Sequence, residues 1–246
     1  MLRNLQVARS GMIAQQRRVE ITANNLANAS TTGFRRLLLA QSTPSAGPTP
    51  LDPTGGPAQA TLPIDLTSRI DTTQGPLSAT GNPLHVAIQG EGYFVVATPE
   101  GDRFTRDGAF RQDPEGNLVT SSGLQVQGDG GPLPIPLGEV QVAGDGRIIV
   151  GNQEVGTIRL VNFDDPSALQ PAGEGLLKTT REVPPQDIDV PDRRLLVGHL
   201  EGSNANPITE LVNLITAQRL FESNQRVLTT TDESLRRTVN DIPGLR

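Results

Sequence analysis

Heptad spacing marks both ends of this sequence. Over residues 2–28, Leu5, Ala8, Met12, Gln15, Val19, Thr22 and Leu26 recur at steps of three and four. That spacing predicts an amphipathic helix with a coiled-coil-like seam. One seam row is strongly apolar (Leu5, Met12, Val19, Leu26) and the other is small or polar (Ala8, Gln15, Thr22). Gly11 inside it costs about 1 kcal/mol of helix relative to Ala, so the helix needs a partner. At the other end, Asn206-Pro207 reads as a helix start, with Asn as cap and Pro at the first helical position. Leu211, Leu214, Gln218, Phe221, Gln225, Leu228, Asp232, Leu235 and Val239 then keep the heptad, and Pro243-Gly244 ends it. Leu214, Phe221, Leu228 and Leu235 form an apolar row, while the second row turns polar at Gln218, Gln225 and Asp232. Polar seam positions lower stability but fix register. Two helices folded onto one domain would be the plainer arrangement. Their narrow, half-polar seams cannot enclose a core, however. The expectation is a helix pair within one subunit that packs laterally against other subunits.

The middle of the chain reads as β-structure. Leu84, Val86 and Ile88 alternate with His85 and Ala87, and Tyr93–Val96 follows as a buried strand after the bend at Gly90-Glu91-Gly92. Asp113-Pro114-Glu115-Gly116-Asn117 is a tight turn before Leu118-Val119. Further short runs fall at 124–126, 140–142, 148–150, 158–161 and 195–197. Short runs separated by glycine-rich turns, with no strand–helix alternation, predict an antiparallel β-domain. Between the first helix and this domain lies a stretch rich in Pro and Gly, from Gln41-Ser42-Thr43-Pro44 through Gly55-Gly56-Pro57, that reads as linker. The expected fold is α+β. Residues 1–36 and 202–246 form a terminal helical assembly domain, 37–81 a Pro/Gly-rich linker, and 82–201 a central β-domain.

Charge and composition remove several function classes. The 246 residues carry a net charge of −6, unevenly spread: residues 1–40 hold six arginines against Glu20 alone, and residues 207–246 are neutral. The acidic middle argues against nucleic acid as a partner. No apolar run approaches the ~20 residues that span a bilayer, so no membrane insertion is expected. A Sec signal peptide is not expected either, because no apolar stretch of the required ~7–15 residues follows the first arginine. The absence of Cys removes thiolate zinc sites and cysteine nucleophiles. His85 and His199 are the only histidines, too few for a multi-histidine metal centre. The basic start superficially fits a mitochondrial presequence, and Asn28-Ala29-Ser30 fits a glycosylation sequon. Neither has a supporting context.

Nothing in the sequence assembles a catalyst or a cofactor cradle. Gly90-Glu91-Gly92 is followed by a strand-like run rather than a helix, so it fails as a dinucleotide fingerprint. Asp107, Asp113 and Glu115 sit beside glycines as turn residues, without the ligand order of a calcium loop. No GxSxG elbow accompanies either histidine. A paired-carboxylate hydrolase is left only by its acids, because Tyr93 is the one tyrosine and there is no Trp to line a sugar cleft. No catalytic residue, cofactor or metal is expected.

The end of the first helix reads Ala23-Asn24-Asn25-Leu26-Ala27-Asn28-Ala29-Ser30-Thr31-Thr32-Gly33-Phe34. Asn28 to Thr32 favour turns over helix, and Gly33 allows a backbone φ that other residues resist. These twelve positions resemble the N-terminal signature of the flagellar basal-body rod and hook family. Val86–Phe94, Phe104–Phe110, Glu201–Asn206, Glu210-Leu211-Val212 and Gln218–Glu222 resemble further segments of it. The resemblance implies an axial structural subunit of the rod, not an enzyme. It would be exported from the cytoplasm by the flagellar type III apparatus without a cleaved signal peptide. In the periplasm it would polymerise with itself and other rod subunits into a helical assembly. The implied assembly interface comprises Leu5, Met12, Val19, Asn24, Asn25, Leu26, Asn28, Gly33, Phe34, Leu211, Leu214, Gln218, Phe221, Gln225, Leu228 and Leu235, with Phe34 pinning a neighbour's groove. Arg35-Arg36-Leu37-Leu38-Leu39-Ala40 and the stretch from Gly128 to Ile148 resemble the proximal rod form, whereas Gln218-Arg219 and Thr230-Thr231-Asp232 resemble the distal form. A soluble cell-wall-binding β-domain protein is the alternative outside the family.

Overall fold

A computed structural model describes residues 2–42, 65–136, 138, 140–151, 153–179 and 183–240. Side chains of residues 2–10, 41–42, 65–66, 228 and 231–240 lie outside the description, so Leu5, Leu228 and Leu235 are placed only as members of their helices. Two α-helices are present among the described residues: α1 (Leu2–Ala27) and α2 (Pro207–Asn240). α1 stops just before the Asn28–Thr32 turn and α2 starts on Pro207, as the sequence signals predict, while the expected stop at Pro243-Gly244 lies outside the described residues. Between them the described strands all pair antiparallel where register is defined. The fold is α+β, as expected.

The chain divides into two compact units. The first, the helical unit, holds residues 1–24, 38–68 and 208–246, which include most of both helices. The second, the β-unit, holds residues 25–37 and 69–207.

The β-unit is built on a six-stranded sheet. Its order is Leu169–Gly173, Leu176–Thr179, Gly101–Thr105, Tyr93–Thr98, Leu160–Asn162, Gln186–Asp187. The run Tyr93–Val96 is buried on both faces. Because side chains alternate across a strand, it feeds two separate apolar clusters. Phe94 and Val96 join Val86, Ile88, Phe110, Leu118 and Ile148. Tyr93 and Val95 join Phe104, Val161, Phe163 and Leu169. Phe94 meets the edge of Phe110 at a centroid distance of 4.9 Å, and Phe104 meets Phe163 at 4.8 Å, the geometry aromatic quadrupoles favour. The Asp113 turn closes as the sequence predicts: the Gly116 amide donates to the Asp113 carbonyl at 3.1 Å, and the Asn117 amide to Asp113 Oδ1 at 2.6 Å.

Residues 37–81 are not linker throughout. Leu37–Ser42 and Asp65–Ile70 pair as a two-stranded sheet, and Leu77–Ala79 pairs with His199–Glu201. The apolar run Leu37-Leu38-Leu39 and the alternation ending at Ile70 are strand material on either side of the Pro-rich core. That core, residues 43–64, lies outside the described residues.

Among the described side chains of α2, Glu210, Leu214, Ala217, Phe221 and Asn224 are buried or half-buried within the chain, while Leu211, Gln218 and Gln225, expected at the assembly seam, are exposed.

Candidate assembly site

The segment that carries the sequence signature turns back on itself within the β-unit. After α1 ends at Ala27, the Thr31 amide donates to the Asn28 carbonyl at 3.1 Å and the Thr31 hydroxyl to Asn28 Oδ1 at 3.3 Å. These are the local side-chain bonds that compete with helix. Asn25, only 2% exposed, then behaves like a length of backbone. Its Nδ2 donates to the Leu37 carbonyl at 2.9 Å, and its Oδ1 accepts from the Leu37 amide at 2.8 Å. Both backbone groups of Leu37 are thereby satisfied, and the two ends of the 25–37 segment are tied together.

Gly33 fixes the middle of the segment. Its φ is +67°, and an added Cβ would lie 2.2 Å from the Asp107 amide nitrogen. No side chain fits there. The Gly33 amide donates to the Glu201 carbonyl at 2.8 Å, and the Thr32 hydroxyl to Asp107 Oδ1 at 2.8 Å. Phe34 is buried within its own chain. The expected pinning of a neighbour's groove therefore gives way to an intrachain role, because the φ of Gly33 turns Phe34 inward. Asn204, which precedes α2, accepts from the Arg36 amide at 2.6 Å, and its Nδ2 donates to the carbonyls of Asp71 (3.0 Å) and Thr73 (2.9 Å). One asparagine thus joins three stretches of backbone.

Beneath these contacts lies a buried ion cluster that the sequence reading did not single out. Glu201 is 1% exposed. Its Oε1 accepts from Arg35 Nη1 at 2.8 Å and from the Gly75 amide at 2.9 Å, and its Oε2 faces Arg106 Nη1 at 3.3 Å. Arg106 also donates to the Gly90 carbonyl at 2.6 Å and lies over the Tyr93 ring, 5.3 Å from its centroid. Two guanidiniums share one carboxylate. Burial, and then the neighbouring Arg35, lowers Arg106 from the ordinary arginine range. Burial likewise raises the Tyr93 phenol. The available signal was a charged residue beside a glycine in each of three stretches that carry the resemblance: Arg35 near Gly33, Arg106 near Gly108, and Glu201 before Gly202. Asp107 and Asp113 serve turns, as read. His85, half-buried, has Nδ1 2.9 Å from the Thr80 hydroxyl.

The seam residues of the helices are distributed differently. On α1, Met12, Val19 and Leu26 are half-buried, Asn24 is exposed, and Thr22 is buried with its hydroxyl donating to the Arg18 carbonyl at 2.8 Å; Asn28, in the turn after it, is half-buried. On α2, Leu214 and Phe221 are half-buried, while Gln218 and Gln225 are exposed. The first two turns of α2 present a face of large apolar side chains: Ile208 is 74% exposed, Leu211 48%, Val212 58% and Ile215 43%. These four stand at i, i+3, i+4 and i+7, which is one side of a helix. No described helix is long and apolar enough to cross a membrane.

Three family models match in chain order. The flagella basal body rod protein model covers residues 5–35, the flagellar hook protein FlgE/F/G D1 domain 87–150, and the flagellar basal body rod FlgEFG protein C-terminal region 196–242. The chain is 38% identical over 239 residues to the flagellar basal-body rod protein FlgF of Caulobacter vibrioides, covering 96% of both sequences. It is 34% identical over 253 residues to the rod protein FlgG of Agrobacterium fabrum, covering 94% of this chain and 96% of the relative. To FlgF of Salmonella typhimurium it is 36% identical over 228 residues, covering 87% and 88%.

Proposed function

The chain belongs to the flagellar basal-body rod protein family, and on that premise we propose that it is a structural subunit of the flagellar rod and, within the rod, the proximal one. The observation that carries the reading is the exposed apolar face of Ile208, Leu211, Val212 and Ile215 on a helix that the family model covers. Polymerisation buries such a face without any change in the β-unit. A contact between different faces of successive copies does not close and gives a helical filament. In this account α1 and α2 pair as a coiled-coil-like unit. Leu5, Met12, Val19, Leu26, Leu211, Leu214, Gln218, Phe221, Gln225, Leu228 and Leu235 form or border its seams with neighbouring subunits. Asn24 and Asn28 lie beside that interface, while Asn25, Gly33 and Phe34 support it from within. The partners are other copies and other rod subunits. The work is mechanical, with no catalysed reaction and no cofactor. Export runs through the flagellar type III apparatus without a cleaved signal peptide, to a rod in the periplasm.

The proximal assignment rests on Arg35–Ala40 running directly into the Pro-rich stretch and on the 128–148 region. The distal alternative keeps the support of Gln218-Arg219 and Thr230-Thr231-Asp232. Electron microscopy of basal bodies from a strain deleted for the gene separates them. A rod that stops low, without distal segment or hook, is the expected result. A rod that stops just below the hook selects the distal form. Intact hooks on motile cells contradict the rod reading.

A further inference from the structure

The signature segment is held by the buried Phe34 and by polar anchors. Two of those anchors, from Gly33 and Arg35, converge on Glu201. The residue binds the segment twice, through its carbonyl to the Gly33 amide at 2.8 Å and through its carboxylate to Arg35 at 2.8 Å. The same carboxylate reaches the Gly75 amide at 2.9 Å and Arg106 at 3.3 Å. All of these groups belong to the β-unit, so none of the contacts depends on helix assembly. We propose that Glu201 is the positioning residue of the assembly segment: through Arg35 and Arg106 it holds residues 31–37 folded on the β-unit of the free subunit, before polymerisation.

The cluster's asymmetry decides which part yields when the carboxylate is lost. Arg106 follows the strand Gly101–Thr105, donates to the Gly90 carbonyl and stacks on Tyr93. Arg35 lies between a turn and the strand that begins at Leu37; besides Glu201 its Nη1 donates to the Thr73 carbonyl at 2.5 Å, while both its Nε and Nη2 lack a hydrogen-bond partner among the described residues, against Nε alone on Arg106. Without the Glu201 charge, two buried guanidiniums face each other uncompensated, and the Arg35 segment leaves. The segment that follows α1 and the lead into α2 meet at this point, where the Asn204 amide donates to the Phe34 carbonyl at 3.4 Å and the Arg36 amide to Asn204 Oδ1 at 2.6 Å. A free subunit would therefore hold these two segments together on its β-unit. That consequence rests on the rod-subunit reading, whereas the latch itself does not.

Hydrogen exchange by mass spectrometry on the soluble full-length chain tests the latch directly, with no rod required. In the wild type, the amides of Gly33, Arg36 and Leu37 should be protected as local unfolding units tied to the β-unit. In Glu201→Gln their exchange should rise by about 100-fold or more, while strand Tyr93–Thr98 keeps its protection. If Glu201→Gln unfolds the whole β-unit, Arg35→Met decides. It removes one of two cations and leaves the Glu201–Arg106 pair intact, so it should release residues 31–37 alone. Arg35→Lys should recover part of the protection. Rapid exchange of 33–37 in the wild type overturns the proposal. So does unchanged protection in both variants, or an Arg35→Met effect shared equally by the strands.

Discussion

The two units of this subunit handle apolar surface in opposite ways. In the β-unit, Val86, Phe94, Val95, Val96, Val126 and Ile158 are fully enclosed, and two aromatic-anchored clusters share one central strand. In the helical unit, the only buried apolar residues described are Ala14 and Ala217. Among the large exposed apolar residues, all but Leu77 lie in the helical unit. Burial drives folding at roughly 25 cal/mol per Å². The β-unit therefore has what it needs inside one chain, and the described part of the helical unit buries only two alanines. On the proposed assembly, another molecule covers that exposed apolar surface. The same proposal accounts for a helix with Gly11 in its interior and polar seam rows, whose stability docking would supply.

That contrast can be broken or sharpened by substitution. The largest effect is expected from Gly108→Val, because a Cβ there would stand 1.7 Å from the Val86 carbonyl oxygen. The β-unit should lose more than about 4 kcal/mol, read as loss of the cooperative thermal transition. Phe94→Ala removes the ring shared between strand and core and should cost about 3–5 kcal/mol, measurable by urea denaturation with the slope unchanged. Asn25→Ala strands the amide and carbonyl of Leu37 and should cost about 1–3 kcal/mol. The smallest effect concerns pH. Hydrogen bonds from Asn117 hold the Asp113 carboxyl below the usual carboxylate range. A folded-state pKa that is lowered contributes stability above the unfolded value and loses it as pH falls through the folded one. The stability gap between wild type and Asp113→Ala should therefore be widest near neutrality and shrink in acid, as thermal melts across a pH series would show.

Much of this was legible in the residues. The helix limits, the double-faced Tyr93–Val96 strand and the Asp113 turn all follow from local periodicity and turn chemistry. Three things were not. Val86–Ile88 reads as one-sided because Ala87 alternates with apolar neighbours, yet it is buried on both faces; an alanine carries too little apolar signal to report a second covered face. Which row of α2 is covered inside the chain was not legible, because Leu211 is apolar yet exposed and Glu210 is charged yet buried. Apolarity tells that a face is covered somewhere, not that it is covered within one chain. Glu201, Arg35 and Arg106 lie far apart in sequence, and only the tertiary pairing of Leu77–Ala79 with His199–Glu201 and the close approach at Gly33 bring them together.

The central claim is that the helical unit is finished by assembly while the β-unit is finished alone. The most direct measurement compares incorporation and folding in one variant, Leu211→Asp, which places a charge on the exposed α2 face. Basal bodies would be purified from cells expressing it and probed by immunoelectron microscopy, alongside a thermal melt of the soluble protein. The account predicts a melt within about 0.5 kcal/mol of wild type and no incorporation into the rod. Normal rods containing the variant would contradict it.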